Sequence, residues 1–103
     1  MPGYSLTLAF RGRAVEDLEE VLEVEDALYE LLADSEEMDG HELTAQARLV
    51  FVLTDDADAT FRRLQPFLRN AHLLDHLTAT ASPVAGGDTF VLWPGASADV
   101  PAG

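Results

Sequence analysis

The residues best suited to chemistry are few in kind: three histidines set among nineteen acids, with no cysteine and no lysine. Two places concentrate them. Asp39-Gly40-His41-Glu42 puts an imidazole beside carboxylates, the makings of an acid–base pair working near neutral pH. His72-Leu73-Leu74-Asp75-His76 separates two imidazoles by four residues. On a helix that spacing puts both on one side, where a metal could sit if His41, with Glu42 or Asp39, supplied a further ligand. Each place also has a plainer reading. Asp39 and Gly40 are turn formers, after which His41 and Glu42 start a strand, one outward and one inward. The second cluster suits a helix C-terminus, whose negative dipole end favours imidazolium. The plainer readings are preferred, so no catalytic or metal-ligating residue is assigned and no cofactor is expected. The chain carries no G-x-S-x-G, phosphate-loop or dinucleotide motif, and Gly86-Gly87 does not open a helix.

The elements that must position these residues follow from periodicity. Tyr4 to Phe10 alternates, with Leu6, Leu8 and Phe10 on one face and Ser5, Thr7 and Ala9 on the other, and predicts a strand. Ala14 to about Ala33 predicts a helix, with Leu18, Val21, Leu22, Leu28, Leu31 and Leu32 on one arc. Glu25 falls inside that arc. Either its carboxylate reaches out past a short helix end, or the helix begins near Val24 and Glu25 lies in its first turn. Met38–Leu43 and Ala47–Leu53 predict two strands joined at Thr44-Ala45-Gln46, with one long strand as the rival. The run Leu49–Leu53 is apolar without alternation, which suits a strand covered on both faces. Thr54-Asp55-Asp56 offers a helix cap. Ala57, Phe61, Leu64 and Leu68 give the next helix its apolar face, and Pro66 predicts a kink or early end. A strand from His76 to Ala81, a turn at Ala85-Gly86-Gly87-Asp88 and a strand from Thr89 to Trp93 complete the order.

That order predicts an α+β fold: a ferredoxin-like βαββαβ sandwich, two helices on one face of an antiparallel sheet, with an extra C-terminal strand. Residues 1–94 are read as one domain and 95–103, rich in small residues, as a disordered tail. With one sheet face free of helices, the second face of Leu49–Leu53 needs a cover, and a homodimer through that face is the simplest one.

Several stretches bear a resemblance. Asp39-Gly40-His41-Glu42, Leu49 to Asp56, Phe61, Pro66, Leu68 and Leu92-Trp93-Pro94 resemble small uncharacterised bacterial proteins of ferredoxin-like fold. Those carry D-G-H-D, a glycine-rich turn, N-I-F-I-x-T and a closing L-W-P. This chain departs from them at Thr44-Ala45-Gln46, where the glycine-rich element stands, and at Leu49, where the asparagine stands. The resemblance supports the hairpin across residues 38–53 and implies no activity.

Charge narrows the function further. The formal net charge is −13, and sixteen of the nineteen acids lie between Glu16 and Asp58, so the negative surface is local. Such a balance disfavours nucleic acid and anionic membranes, which both require a positive surface. No apolar run is long enough to span a bilayer and the start does not resemble a signal peptide, so the expected location is cytoplasmic. The expectation is a non-enzymatic protein that binds a basic protein partner, as an immunity or inhibitor protein does. Its binding residues are expected to be Glu16, Glu19, Glu20, Glu23, Asp39, His41 and Glu42. The alternative is a dimeric regulatory domain that binds a small molecule at the sheet interface.

Overall fold

A computed structural model describes residues 3–11, 18–45 and 47–93. Glu16, Gln46, Pro94 and the expected tail 95–103 lie outside them. The order is β1 (Tyr4–Arg11), α1 (Leu18–Tyr29), β2 (Glu37–Leu43), β3 (Ala47–Thr54) and α2 (Ala57–Asn70). A single 3-10 turn at Leu74–His76 then leads into β4 (Leu77–Pro83) and β5 (Phe90–Trp93). The five strands form one sheet in the order β2-β3-β1-β4-β5, every neighbouring pair antiparallel. With its two helices this is an α+β architecture broadly consistent with a ferredoxin-like kind of fold. No helix among the described residues is long and apolar enough to cross a membrane.

Alternation decides which sheet face is covered. Leu6, Leu8 and Phe10 of β1 pair across to Val52, Val50 and Arg48 of β3, and to Ala81, Ala79 and Leu77 of β4. Those apolar partners form one core with Val21 and Leu28 of α1 and Phe61, Leu64 and Leu68 of α2. Both helices therefore cover the same face. On the other face Leu49, Phe51 and Leu53 stand in a row along β3, each partly exposed. The expected second cover for this strand is not part of the chain's described fold.

The elements follow expectation in some places and depart from it in others, each for a local reason. The hairpin between β2 and β3 forms without glycine because Thr44 closes it. The Thr44 N–H donates to the Ala47 carbonyl at 2.8 Å, and Thr44 Oγ1 accepts from the Ala47 N–H at 2.9 Å. Asp39-Gly40 is not a turn before a strand. It lies inside β2, where the register against β3 shifts between Met38 and Gly40, and Gly40 takes φ 120°. A bulge of this kind inserts one residue into an edge strand and bends it. Helix α2 does not end at Pro66 but runs on to Asn70, with Pro66 on its exposed side. Its N-terminus is capped as expected, Asp56 accepting from the Ala59 N–H at 3.0 Å.

Candidate functional site

Helix α1 sets the geometry of the acidic region. The helix is continuous from Leu18 to Tyr29, so Glu25 lies in its middle rather than in a first turn. Its buried line is Val21 and Leu28, with Val24 partly buried beside them. Leu18 and Leu22, expected in the core, are turned outward, 48% and 43% exposed. The whole helix is thus rotated relative to the expected arc, and Glu25 falls on its border next to β2.

His41 explains why Glu25 is tolerated there. His41 pairs with Val50 across the strands, so both side chains share the helix-covered face. Being on the edge strand, His41 lies at the margin of that face, where its Nδ1 meets Glu25 Oε2 at 3.1 Å. The carboxylate is 13% exposed and the imidazole 29%. Glu42, paired with Leu49, points to the opposite, helix-free face. The expected orientations of this dipeptide are therefore reversed, His41 inward and Glu42 outward.

The histidines do not converge. His41, Val50, Leu8 and Ala79 share one row of the sheet, so β2 and β4 are three strand spacings apart, about 14 Å. His76 immediately precedes β4. Nor do His72 and His76 share a helix. Helix α2 closes with the Leu73 N–H on the Leu68 carbonyl and the His72 N–H on the Arg69 carbonyl. His72 takes the left-handed position of that closure, φ 61°, usually a glycine's. Among the described residues, no group of three or more His, Asp or Glu side chains is placed to hold a metal.

Glu19, Glu20 and Glu23 are exposed on α1, and Asp39 and Glu42 on β2. Asp26, Glu30 and Glu37 are exposed as well, and the acids spread over several faces: Glu20 and Glu23 border the space between α1 and α2, while Glu37 and Glu42 stand in register with Leu53 and Leu49 on the helix-free face. Apolar side chains are mixed among them. Leu18, Leu22 and Tyr29 recur at four and seven residues, which places them on one stripe of α1 together with Glu25. Strands β1 and β2 are parallel, each antiparallel to β3, so α1 between them runs back against β2. Leu43, exposed on β2, has the same register parity as His41 and so lies at the margin of the helix-covered face. Elements α1 and β2 thus carry four exposed apolar side chains as well as exposed carboxylates.

The arginines of α2 do not neutralise this flank. Arg62 pairs with Asp58 one turn back on its own helix, at 2.7 Å. Arg63 reaches Glu36, in the connection between α1 and β2. Glu36 was not among the residues singled out from sequence, and it is the most heavily partnered acid described. Its side chain is only 5% exposed. Oε1 accepts from the Arg63 guanidinium and from the Ala33 N–H, at 2.7 Å for the latter. Oε2 accepts from Thr60 Oγ1 at 2.6 Å. Thr60 has spent its only proton on that bond, so its 2.7 Å contact with Thr54 must be donated by Thr54. Thr54 in turn accepts from the Asp56 N–H at 3.0 Å. The chain of donors runs one way, Asp56 to Thr54 to Thr60 to Glu36, and ends on a negative charge. Burial pushes the Glu36 carboxyl up, but the bonds from Arg63, Thr60 and Ala33 outweigh it and hold the group below its ordinary 4.5. With every oxygen engaged, this network joins the end of β3, the start of α2 and the entry to β2, a structural role.

Tyr4 and Trp93 are partly buried. Trp93 donates its indole N–H to the Leu74 carbonyl at 2.9 Å and its ring lies 6.2 Å from Phe61. Tyr4 meets Phe90 edge to face at 6.1 Å.

No family model, curated protein or solved structure matches this chain, and its own geometry has to carry the functional reading.

Proposed function

We propose that this chain is a non-enzymatic, cytoplasmic protein-binding domain that takes a basic protein on the α1–β2 flank, as an immunity or inhibitor protein does. The observation that supports this is the exposed stripe of Leu18, Leu22 and Tyr29 on α1, with Leu43 exposed on β2, on two elements that also carry most of the exposed acids. Single exposed apolar residues are ordinary. A stripe of them set among like charges gives two separable effects. The charges accelerate encounter with a positive partner, and the apolar side chains slow its escape. A pull-down from the source cells tests it with three variants. Replacing Glu16, Glu19, Glu20 and Glu23 together by Gln, or Leu22 by Ser, should each remove a captured basic protein. Asp58→Asn on α2 should not. Equal recovery by all three defeats the reading.

A second element rests on the opposite surface. We read the architecture as ferredoxin-like with β5 added at the β4 edge, and the helix-free face as the seat of a second copy. Leu49, Phe51 and Leu53 form its apolar centre, beside Thr7, Ala9 and Thr80 on the neighbouring strands. Five strands of this length present roughly 500 Å² per copy, and a pair buries about 1,000 Å², the lower limit for a specific interface. The acids lie toward the β2 side, so added salt should strengthen the dimer while weakening the basic partner. Light scattering with Phe51→Asp tests this: the variant should be monomeric under conditions where the natural chain is dimeric. A small molecule between the two sheets, making the pair a regulatory domain, is the alternative, and a ligand-induced thermal shift abolished by Phe51→Asp would favour it.

A further inference from the structure

A pocket of about 430 Å³ lies where the end of α2, the 3-10 turn and the end of β5 meet. The described residues lining it are Arg69, His72, Leu74, Asp75 and Trp93. Its inner part is apolar and fixed. Trp93 lies against Phe61 of α2 and donates its indole N–H to the Leu74 carbonyl, and Leu74 itself is buried. Its outer part is polar and carries both signs. Arg69 brings a guanidinium and Asp75 a carboxylate, both exposed. Among the described residues, neither side chain has an ion-pair or hydrogen-bond partner. His72 stands beside them at φ 61°, a conformation that glycine takes at less cost. The chain thus keeps an imidazole where helix closure alone favours glycine. A volume of this size lies within the range of small-molecule sites.

We propose that this pocket binds a free amino acid with an aromatic or apolar side chain, recognised through both of its charges. Arg69 takes the carboxylate, with an N–H of His72 as a second donor, and Asp75 takes the ammonium. The side chain lies on Trp93 and Leu74. A simple anion in this space faces Asp75, and a simple cation faces Arg69. A ligand with both charges on one carbon suits the two together, whereas a peptide carries its charged ends far apart. The carbonyl end of α2 adds a negative field that favours the ammonium. The pocket lies at the β5 margin of the sheet, and β2 forms the opposite edge. The inference therefore goes beyond the protein-binding reading and does not depend on it.

Trp93 is the chain's single tryptophan, so its fluorescence reports this site alone. Titrating the natural chain with L-phenylalanine should give a saturable change in that emission. Amide shifts of the ¹⁵N-labelled chain should gather at residues 69–75 and at the Trp93 indole. N-acetyl-L-phenylalanine lacks the ammonium and L-phenylalaninamide lacks the carboxylate, and each should bind about tenfold more weakly. Arg69→Gln and Asp75→Asn, both at exposed positions, should each weaken L-phenylalanine by about the same factor. His72→Gly should raise the melting temperature while weakening the ligand. Full affinity in both charge variants overturns the proposal. So does equal binding of either derivative, which would mean that only one charge is read. No saturable change in fluorescence and no localised amide shifts overturn it as well. Phe51→Asp should leave binding intact, and its loss there would place the ligand between two sheets and refute this site.

Discussion

Glu25 and His41 meet at 3.1 Å across the seam between α1 and the outermost strand, β2. The contact gives a mid-helix carboxylate on the border of an apolar arc a partner on the sheet, and it fixes the edge strand under the helix. Because both groups keep some exposure, the pair should contribute at the modest end, about 0.5–1 kcal/mol. A double-mutant cycle with Glu25→Gln and His41→Ala, read by urea denaturation, should show positive coupling of that size. Strictly additive losses would mean that the two groups stabilise the chain independently. Amide exchange on β2 should quicken in either variant, with β1 unaffected.

The Glu36 network should matter more. Thr60→Val removes the donor to Oε2 and leaves Thr54 with no acceptor, and a buried group stripped of its partner costs about 1–3 kcal/mol. Thr60→Ser keeps the hydroxyl and should recover most of that loss. Glu36→Ala should cost at least as much, because it strands Thr60 and Arg63 together. Equal stability of Thr60→Val and Thr60→Ser would show that the hydroxyl is irrelevant.

Acid should expose the same carboxylate. The folded-state value of Glu36 lies below its ordinary 4.5, so the folded chain holds this proton less readily than the unfolded chain. Its contribution is therefore complete above about pH 4.5–5 and is lost as the pH falls through the lower folded value. The natural chain should lose stability in that window. Glu36→Gln should start less stable at pH 7 and decline less steeply below pH 5, which urea midpoints at a series of pH values would record. Parallel declines would assign the acid sensitivity to other carboxylates.

Gly40 carries the bulge in β2 at φ 120°, and a Cβ placed there would touch nothing within 4 Å. Space is thus no obstacle to substitution and the backbone conformation is. Gly40→Ala should destabilise by about 1–3 kcal/mol through strain alone, or shift the register of β2 to escape it. Changed amide shifts from Met38 to His41 with preserved β1–β3 pairing would identify the second response. A variant as stable as the natural chain, with unchanged shifts, would contradict the assignment of strain.

The elements were legible in this sequence because alternation and helical spacing are local. Tyr4–Phe10 and Ala57–Leu68 carry their periods openly, and the core uses the apolar residues those periods select. The bulge was hidden because Asp-Gly is equally good chemistry for a turn. The rotation of α1 was hidden because Leu18 and Leu22 look like core, and only the presence of His41 on the next strand decides where Glu25 can go. Glu36 was invisible for a stronger reason. Its partners Thr60 and Arg63 lie 24 and 27 residues away, and nothing in the intervening sequence marks them as neighbours. The acidic flank, in contrast, was visible as a charge count, while the leucines that make it a mixed surface were assigned elsewhere.

Salt should separate folding from binding. With a net charge of −13 and sixteen of nineteen acids before residue 60, self-repulsion opposes the compact state. The exposed Arg62–Asp58 pair contributes little in return. Raising sodium chloride from about 0.05 to 0.5 M shortens the screening length from roughly 14 Å to 4 Å and should raise the melting temperature by a few degrees. The same change should weaken capture of the proposed basic partner, since that attraction depends on the charges being felt at a distance. A melting temperature that falls with salt would show that favourable pairs such as Arg63–Glu36 outweigh the repulsion among the acids of α1 and β2.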